Sequence, residues 1–171
     1  IGLGIPAEPL FRSSIEDFFI TNNELKIYSG YHKALGMYSH VEGYSTDAIG
    51  AYSHAEGYGT KAVGSYAHSE GEYTLATDMS SHAEGYETIA IGSYSHAEGY
   101  GTKADTYCHS EGRNTEATSN SHAEGYGTIA NTTGQHVQGK YNISSSLYAD
   151  IVGNGTADNA RSNAYTLDWS I

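Results

Sequence analysis

The sequence predicts an all-β chain, a parallel β-roll (β-solenoid) of about eight coils of 13–14 residues each. Three observations predict it. The pentapeptide Ser-His-Ala-Glu-Gly occurs whole at Ser53–Gly57, Ser81–Gly85, Ser95–Gly99 and Ser121–Gly125, with variants at Ser39–Gly43, Ala67–Gly71 and Cys108–Gly112. A worn copy at Gln135–Gly139 closes the series, and the eight histidines, His40 to His136, follow one another at 14, 14, 14, 14, 13, 13 and 14 residues. A period held this well marks a repeat architecture. The unit itself reads as strand: Gly recurs too often for helix, and period-two alternation with frequent aromatic residues fits extended chain.

Residues 1–37 do not repeat and are expected to form an N-terminal cap or connector. Pro6 and Pro9 precede Leu10–Phe19, which reads either as a short helical turn or as an extended docking segment. Ile20 to Tyr28 places Asn22-Asn23 between two apolar ends, the pattern of a hairpin-like entry. The opening Ile1-Gly2-Leu3-Gly4-Ile5 has neither a starting Met nor a signal-peptide layout, as expected of a piece cut from a longer chain.

Residues 38–139 are the array. Three residues after each motif Gly comes Thr (Thr46, Thr60, Thr74, Thr88, Thr102, Thr115, Thr128), and two further on comes Ala. Each unit therefore holds two short extended runs, Tyr-Ser-His-Ala-Glu and Thr-x-Ala-x, joined by Gly-containing corners. The two 13-residue units lose their residue between Ala104 and His109 and between Ala117 and His122, in both cases at the second corner. Residues 140–171 are expected to form a C-terminal neck or cap leading towards a further domain.

Composition sets the kind of core. The chain has 171 residues, with 21 Gly and 16 Tyr but only 3 Phe and 1 Trp, so a coil interior must be built from Ala, Ser and Thr. Burial of such side chains removes little area per residue at roughly 25 cal/mol per Å², which makes stacking between coils and association between chains the expected sources of stability. A net charge of −12 with only eight basic residues argues against nucleic acid as a partner. Cys108 is the only cysteine and stands where other copies have Ser, so it reads as a small inward residue. No stretch approaches the roughly 20 apolar residues of a membrane span, and no membrane insertion is expected of this fragment.

Period-two geometry assigns faces. Ser53 and Ala55 are expected inside, with Thr60 and Ala62 opposite them; Tyr52, His54 and Glu56 then face out. The outer residues of the second run vary freely, as in Lys61/Val63, Leu75/Thr77 and Ile89/Ile91. Those of the first run do not. His40, His54, His68, His82, His96, His109 and His122, with Glu42, Glu56, Glu70, Glu84, Glu98, Glu111 and Glu124, form two unvarying rows. Glutamates one coil apart repel one another, so the rows are expected to meet the same rows of other chains in a symmetric oligomer. They form the candidate interface of a homotrimer.

Other readings of the same residues are weaker. Imidazole and carboxylate are good ligands for Zn or Ni, yet a structural ladder accounts for eight copies, so no metal or other cofactor is expected. His beside Glu also suits acid–base chemistry, but no copy is singled out as an active one, so no catalytic residue is assigned and the chain is not expected to be an enzyme. The threonine column does not form an ice-binding ladder if Thr faces inward. Tyrosines before His (Tyr38, Tyr52, Tyr66, Tyr94, Tyr107) and after Gly (Tyr44, Tyr58, Tyr86, Tyr100, Tyr126) would cover the corners, or bind sugars along aromatic rows.

The units of 38–139, with Ser-His-Ala-Glu-Gly followed by Thr-x-Ala, resemble the head repeats of YadA-type trimeric autotransporter adhesins. That resemblance implies a left-handed parallel β-roll in which three chains join into one head. Ala-Ile-Gly dominates in that family, and Ile49-Gly50 and Ile91-Gly92 are its nearest echoes here. Gln135–Asn142, Ile151–Thr156 and Ala160–Trp169 are similar to bacteriophage tail-fibre and appendage proteins. There, such wording leads into an intramolecular chaperone domain that assists trimerisation and then cleaves itself off. The resemblances imply a structural or receptor-binding segment of a trimeric tail fibre, located on the virion, that attaches to a host-surface receptor or glycan. The alternatives are a bacterial cell-surface adhesin head that binds host matrix or glycans, and the non-catalytic part of a tailspike whose enzymatic or self-cleaving domain lies elsewhere.

Overall fold

The computed structural model describes residues 32–169 throughout, together with the backbone of strands Asp17–Thr21 and Glu24–Ser29. Every regular element among the described residues is a strand. The two strands pair antiparallel with Thr21 opposite Glu24, as the hairpin reading of Ile20–Tyr28 expects. The Asn22-Asn23 turn, and residues 10–16 of the segment read as helical or extended, lie outside the described residues.

Two ten-stranded sheets face each other. One carries the long strands, five residues each from His40–Tyr44 to His136–Lys140. The other carries two-residue strands from Asp47–Ala48 to Ile129–Ala130. Like pairs with like from coil to coil: His82 lies between His68 and His96, Glu84 between Glu70 and Glu98. The 13-residue coils keep this register, with His96, His109 and His122 still in line. Their missing residue is absorbed at the second corner, as expected of a turn of adjustable length.

The interior follows the period-two assignment. Ala55, Thr60 and Ala62 are fully buried and Ser53 nearly so, and the pattern repeats along the stack. Ser has a second duty: the Ser53 hydroxyl donates to the Gly50 carbonyl at 2.7 Å and that of Ser95 to Gly92 at 2.6 Å, fastening the corner just turned. Cys108, in the same column, is buried as expected.

Three expectations are corrected. The residue before Ser is not in the strand: Tyr52, Tyr66, Tyr94 and Tyr107 sit in the corner with φ of 57–61°, a conformation bulky residues rarely adopt. Each ring leaves the coil and stacks on the ring of a neighbouring coil, Tyr52 on Tyr66 at 5.0 Å between centroids. The motif glycine, conversely, is not the corner. Gly57 lies within the strand His54–Tyr58 at φ 111°, and a Cβ there would overlap the Gly71 carbonyl of the next coil, so neither backbone nor stacking admits another residue.

The third correction is the number of coils, nine rather than eight. Tyr148–Asn154 adds a parallel strand after His136–Lys140, with Asp150 opposite His136 and Gly153 opposite Gly139. The 14-residue spacing of Val137 to Ile151 and of Gly139 to Gly153 carries this signal, and the loss of His hides it. Asn163–Asp168 then closes the long-strand sheet antiparallel. At the other end, Glu24–Ser29 pairs antiparallel with His32–Ala34, which begins the parallel ladder of the short-strand sheet.

Candidate functional site

The outer face of the long-strand sheet gathers the two rows expected from the sequence. Strand alternation turns His and Glu outward from every motif copy, and parallel in-register pairing aligns them along the rod. The imidazoles from His54 to His122 stack nearly parallel, with centroids 4.6–4.9 Å apart and interplanar angles of 3–10°. The end pairs, His40–His54 and His122–His136, are tilted by 31° and 41°.

Each imidazole turns Nε2 towards the glutamates. His54, His68 and His82 face the Glu two residues on, at 3.5 Å. His109, His122 and His136 face the Glu of the preceding coil instead, at 3.6–3.7 Å. The partner changes at Glu98, which lies 4.0 Å from His96 and 3.6 Å from His109 and stands where the first 13-residue coil begins. These separations exceed the roughly 3.2 Å of a hydrogen bond. Although the side chains are about one-third exposed, the Nε2 atoms from His54 to His122 are shielded from solvent and have no hydrogen-bond partner.

Burial first, and neighbouring imidazoles second, hold His54, His82, His109 and His122 below the ordinary histidine value. Within the glutamate row, Glu98 and Glu111 act as a pair. Glu98 is pushed up to about 7, first by its hydrogen bond with Glu111, then by burial and by Glu84. Glu111 is shifted down, chiefly as the other side of that bond. The two shifts are those of a pair in which Glu98, when protonated, donates to the Glu111 carboxylate.

The glutamate row borders an open groove of about 610 Å³, which runs from Glu84 to Glu124 with the bare backbone of the motif glycines beside it. A shorter groove of about 260 Å³ lies at Glu42 and Glu56. All fourteen residues expected in the rows are thus on one face. Sequence reasoning missed the groove beside them, because Gly was read as a corner rather than as a strand residue that leaves its site empty.

The tyrosines make two further columns at the corners. Tyr38, Tyr52 and Tyr66 stack at 5.0–5.1 Å, Tyr94 and Tyr107 at 5.3 Å, and Tyr86 and Tyr100 at 5.0 Å, all exposed except the half-buried Tyr86. The outer face of the short strands is mixed, with Lys61 paired to Asp47 beside Leu75 and Ile89. Comparison of the chain with protein-family models, with curated proteins and with solved structures finds no match.

Proposed function

We propose that the chain is a rod segment of a bacteriophage tail fibre or appendage, a left-handed homotrimeric β-roll that carries or forms a contact with a host-cell surface. The observation behind this reading is the sameness of one face. Imidazole and carboxylate recur together on seven successive coils, from His40/Glu42 to His122/Glu124, whereas the short-strand face varies from Lys61 to Leu75 to Ile89. A solenoid that only needs to stack has no use for an unvarying exterior; three copies about an axis parallel to the rod would use the same contact at every level. The groove beside the glutamates leaves room for side chains of a neighbouring copy. The segment's work is mechanical, and it presents a receptor- or glycan-binding surface without chemistry of its own.

The exposed tyrosine columns favour a second reading, a bacterial surface adhesin head that takes up glycans by stacking. Light scattering tests the assembly common to both. The expected mass is three times 18.3 kDa, and a clean monomer at micromolar concentration overturns the trimer. His82→Ala combined with Glu84→Ala is expected to weaken the trimer while Ile89→Ser leaves it intact. Equal effects would move the contact off the His/Glu face.

A further inference from the structure

We propose that the His/Glu face is a linear array of transition-metal sites, each built by adjacent coils of one chain from imidazole Nε2 and glutamate oxygen, with Zn²⁺ as the fitting ion. Four groups bring three ligand atoms to within 4.8 Å of one another: His40/Glu42/His54, His82/Glu84/His96, Glu98/His109/Glu111 and Glu111/His122/Glu124. Glu111 belongs to two of them, so its carboxylate would bridge neighbouring ions.

The distances favour an ion over a direct bond. His82 Nε2 and Glu84 Oε2 are 3.5 Å apart, too far for a hydrogen bond. Two ligands at Zn–N and Zn–O lengths of 2.0–2.2 Å in a tetrahedron stand about 3.4 Å apart. The His–Glu spacing within one coil is therefore the one a shared ion would impose, whereas the parallel rings of His82 and His96, 4.6 Å apart, would have to tilt towards each other for both to bind it. The solvent-shielded, unpartnered Nε2 atoms of six histidines, from His54 to His122, point the same way. A solvent-shielded nitrogen aimed at carboxylates but beyond hydrogen-bond distance of them is an unmet polar group, and coordination would satisfy it.

Charge and ligand type narrow the choice of ion. The ion pairs of lysine and arginine among the described residues go to Asp47 and Asp158, not to the glutamate row. A divalent cation would relieve repulsion between carboxylates one coil apart. Imidazole selects Zn²⁺, Co²⁺ or Ni²⁺ over Ca²⁺ and Mg²⁺, which take oxygen ligands. With three protein ligands, each ion would keep a position open to water or to an outside donor. Because every ligand comes from a single chain, the array does not depend on the trimer.

The test is equilibrium dialysis of the chelator-stripped chain against ZnCl₂, with metal counted by mass spectrometry and Ca²⁺ run in parallel. Saturable uptake of more than one and at most four Zn²⁺ per chain is expected, with a rise in melting temperature and no comparable Ca²⁺ uptake. Replacing both His82 and His96 with Asn should remove one ion with an unchanged circular-dichroism spectrum, while Asp78→Asn, off this face, should remove none. Co²⁺ supplies a second readout should the double variant misfold: the intact chain should then show the intense visible bands of a tetrahedral nitrogen–oxygen site. Uptake below one ion per chain, equal uptake of Ca²⁺, or Co²⁺ spectra of the hexa-aqua ion would overturn the proposal. Sedimentation in chelator reports the oligomer separately, so failure of the metal array and failure of the trimer are distinguishable.

Discussion

At the residue scale, the interior threonines differ in what their hydroxyls meet; Thr128, opposite Ala123, donates to the Glu124 carbonyl at 3.1 Å. Where the motif carries Ser in place of Ala, the pair closes a hydrogen bond across the core: Ser69 with Thr74 and Ser110 with Thr115, both at 2.7 Å. Opposite Ala55, Ala83 and Ala97, the hydroxyls of Thr60, Thr88 and Thr102 are buried without partners. An unsatisfied buried hydroxyl costs about 1–3 kcal/mol, and a satisfied one contributes about 1 kcal/mol. Thr88→Val is therefore expected to stabilise the chain by about 1 kcal/mol, and Thr74→Val to destabilise it by about 1–3 kcal/mol by stranding Ser69. Urea unfolding of the two variants checks this, and shifts of the same sign would contradict it. Glu98 supplies the pH-dependent counterpart. Its folded value of about 7 stands above the ordinary 4.5, so its contribution is complete below 4.5 and is lost as pH rises through 7. Glu98→Gln imitates the protonated form; in chelator it should match the parent at pH 4.5 and melt higher at pH 8. A melting difference that does not change with pH would remove the shared proton from the Glu98–Glu111 pair.

At the element scale, the short-strand sheet ends on a side chain. Asn142 occupies the threonine column 14 residues after Thr128 and is fully buried. Its Oδ1 accepts from the Ile129 N–H at 2.8 Å and its Nδ2 donates to the Ile129 carbonyl at 3.0 Å, as the peptide of a further strand would. Gln135, in the Ser column, accepts from the Asn131 N–H and donates to the carbonyls of Ser145 and Tyr148. The two amides end the array without an open edge, the feature of sheets that invites further pairing. Asn142→Val fits the column but strands both groups of Ile129, at about 1–3 kcal/mol each. A large drop in melting temperature and faster exchange of the Ile129 amide should follow; an unchanged amide would show that another group supports the edge. The column positions of Asn142 and Gln135 are legible in the sequence, since the 14-residue count places them. Their capping role is not, because an amide that replaces Thr or Ser reads equally well as a solvated loop residue. The positive φ of the corner tyrosines was illegible for a related reason: nothing in local preference assigns it to Tyr, and contacts with neighbouring coils, such as the Tyr52 N–H bond to the Met37 carbonyl and ring stacking, accompany it.

At the scale of the whole molecule, the sequence reads well wherever period alone decides position. Inward Ser, Ala and Thr, outward His and Glu, and the elastic second corner all follow from counting, because parallel in-register stacking copies one coil onto the next. The ninth coil and the groove escaped that count. Asp150 broke the histidine series, and Gly, read by habit as a turn, hid a strand position whose empty site shapes the surface. Copying also makes the rod nearly one-dimensional, since each coil touches only its neighbours, so stability sums over coils and the interfaces between them. Excision of residues 68–81, one full period, would set the His82 strand directly on the His54 strand with Glu84 over Glu56 and Gly85 over Gly57. The shortened chain is expected to fold with the same β-sheet spectrum, to melt only slightly lower, and to keep the oligomeric state of the parent. It also leaves the His82/Glu84/His96 group whole. Loss of the cooperative transition would mean that coils are not interchangeable and that the departures of single copies, such as the Ser69–Thr74 pair removed with this coil, carry the fold.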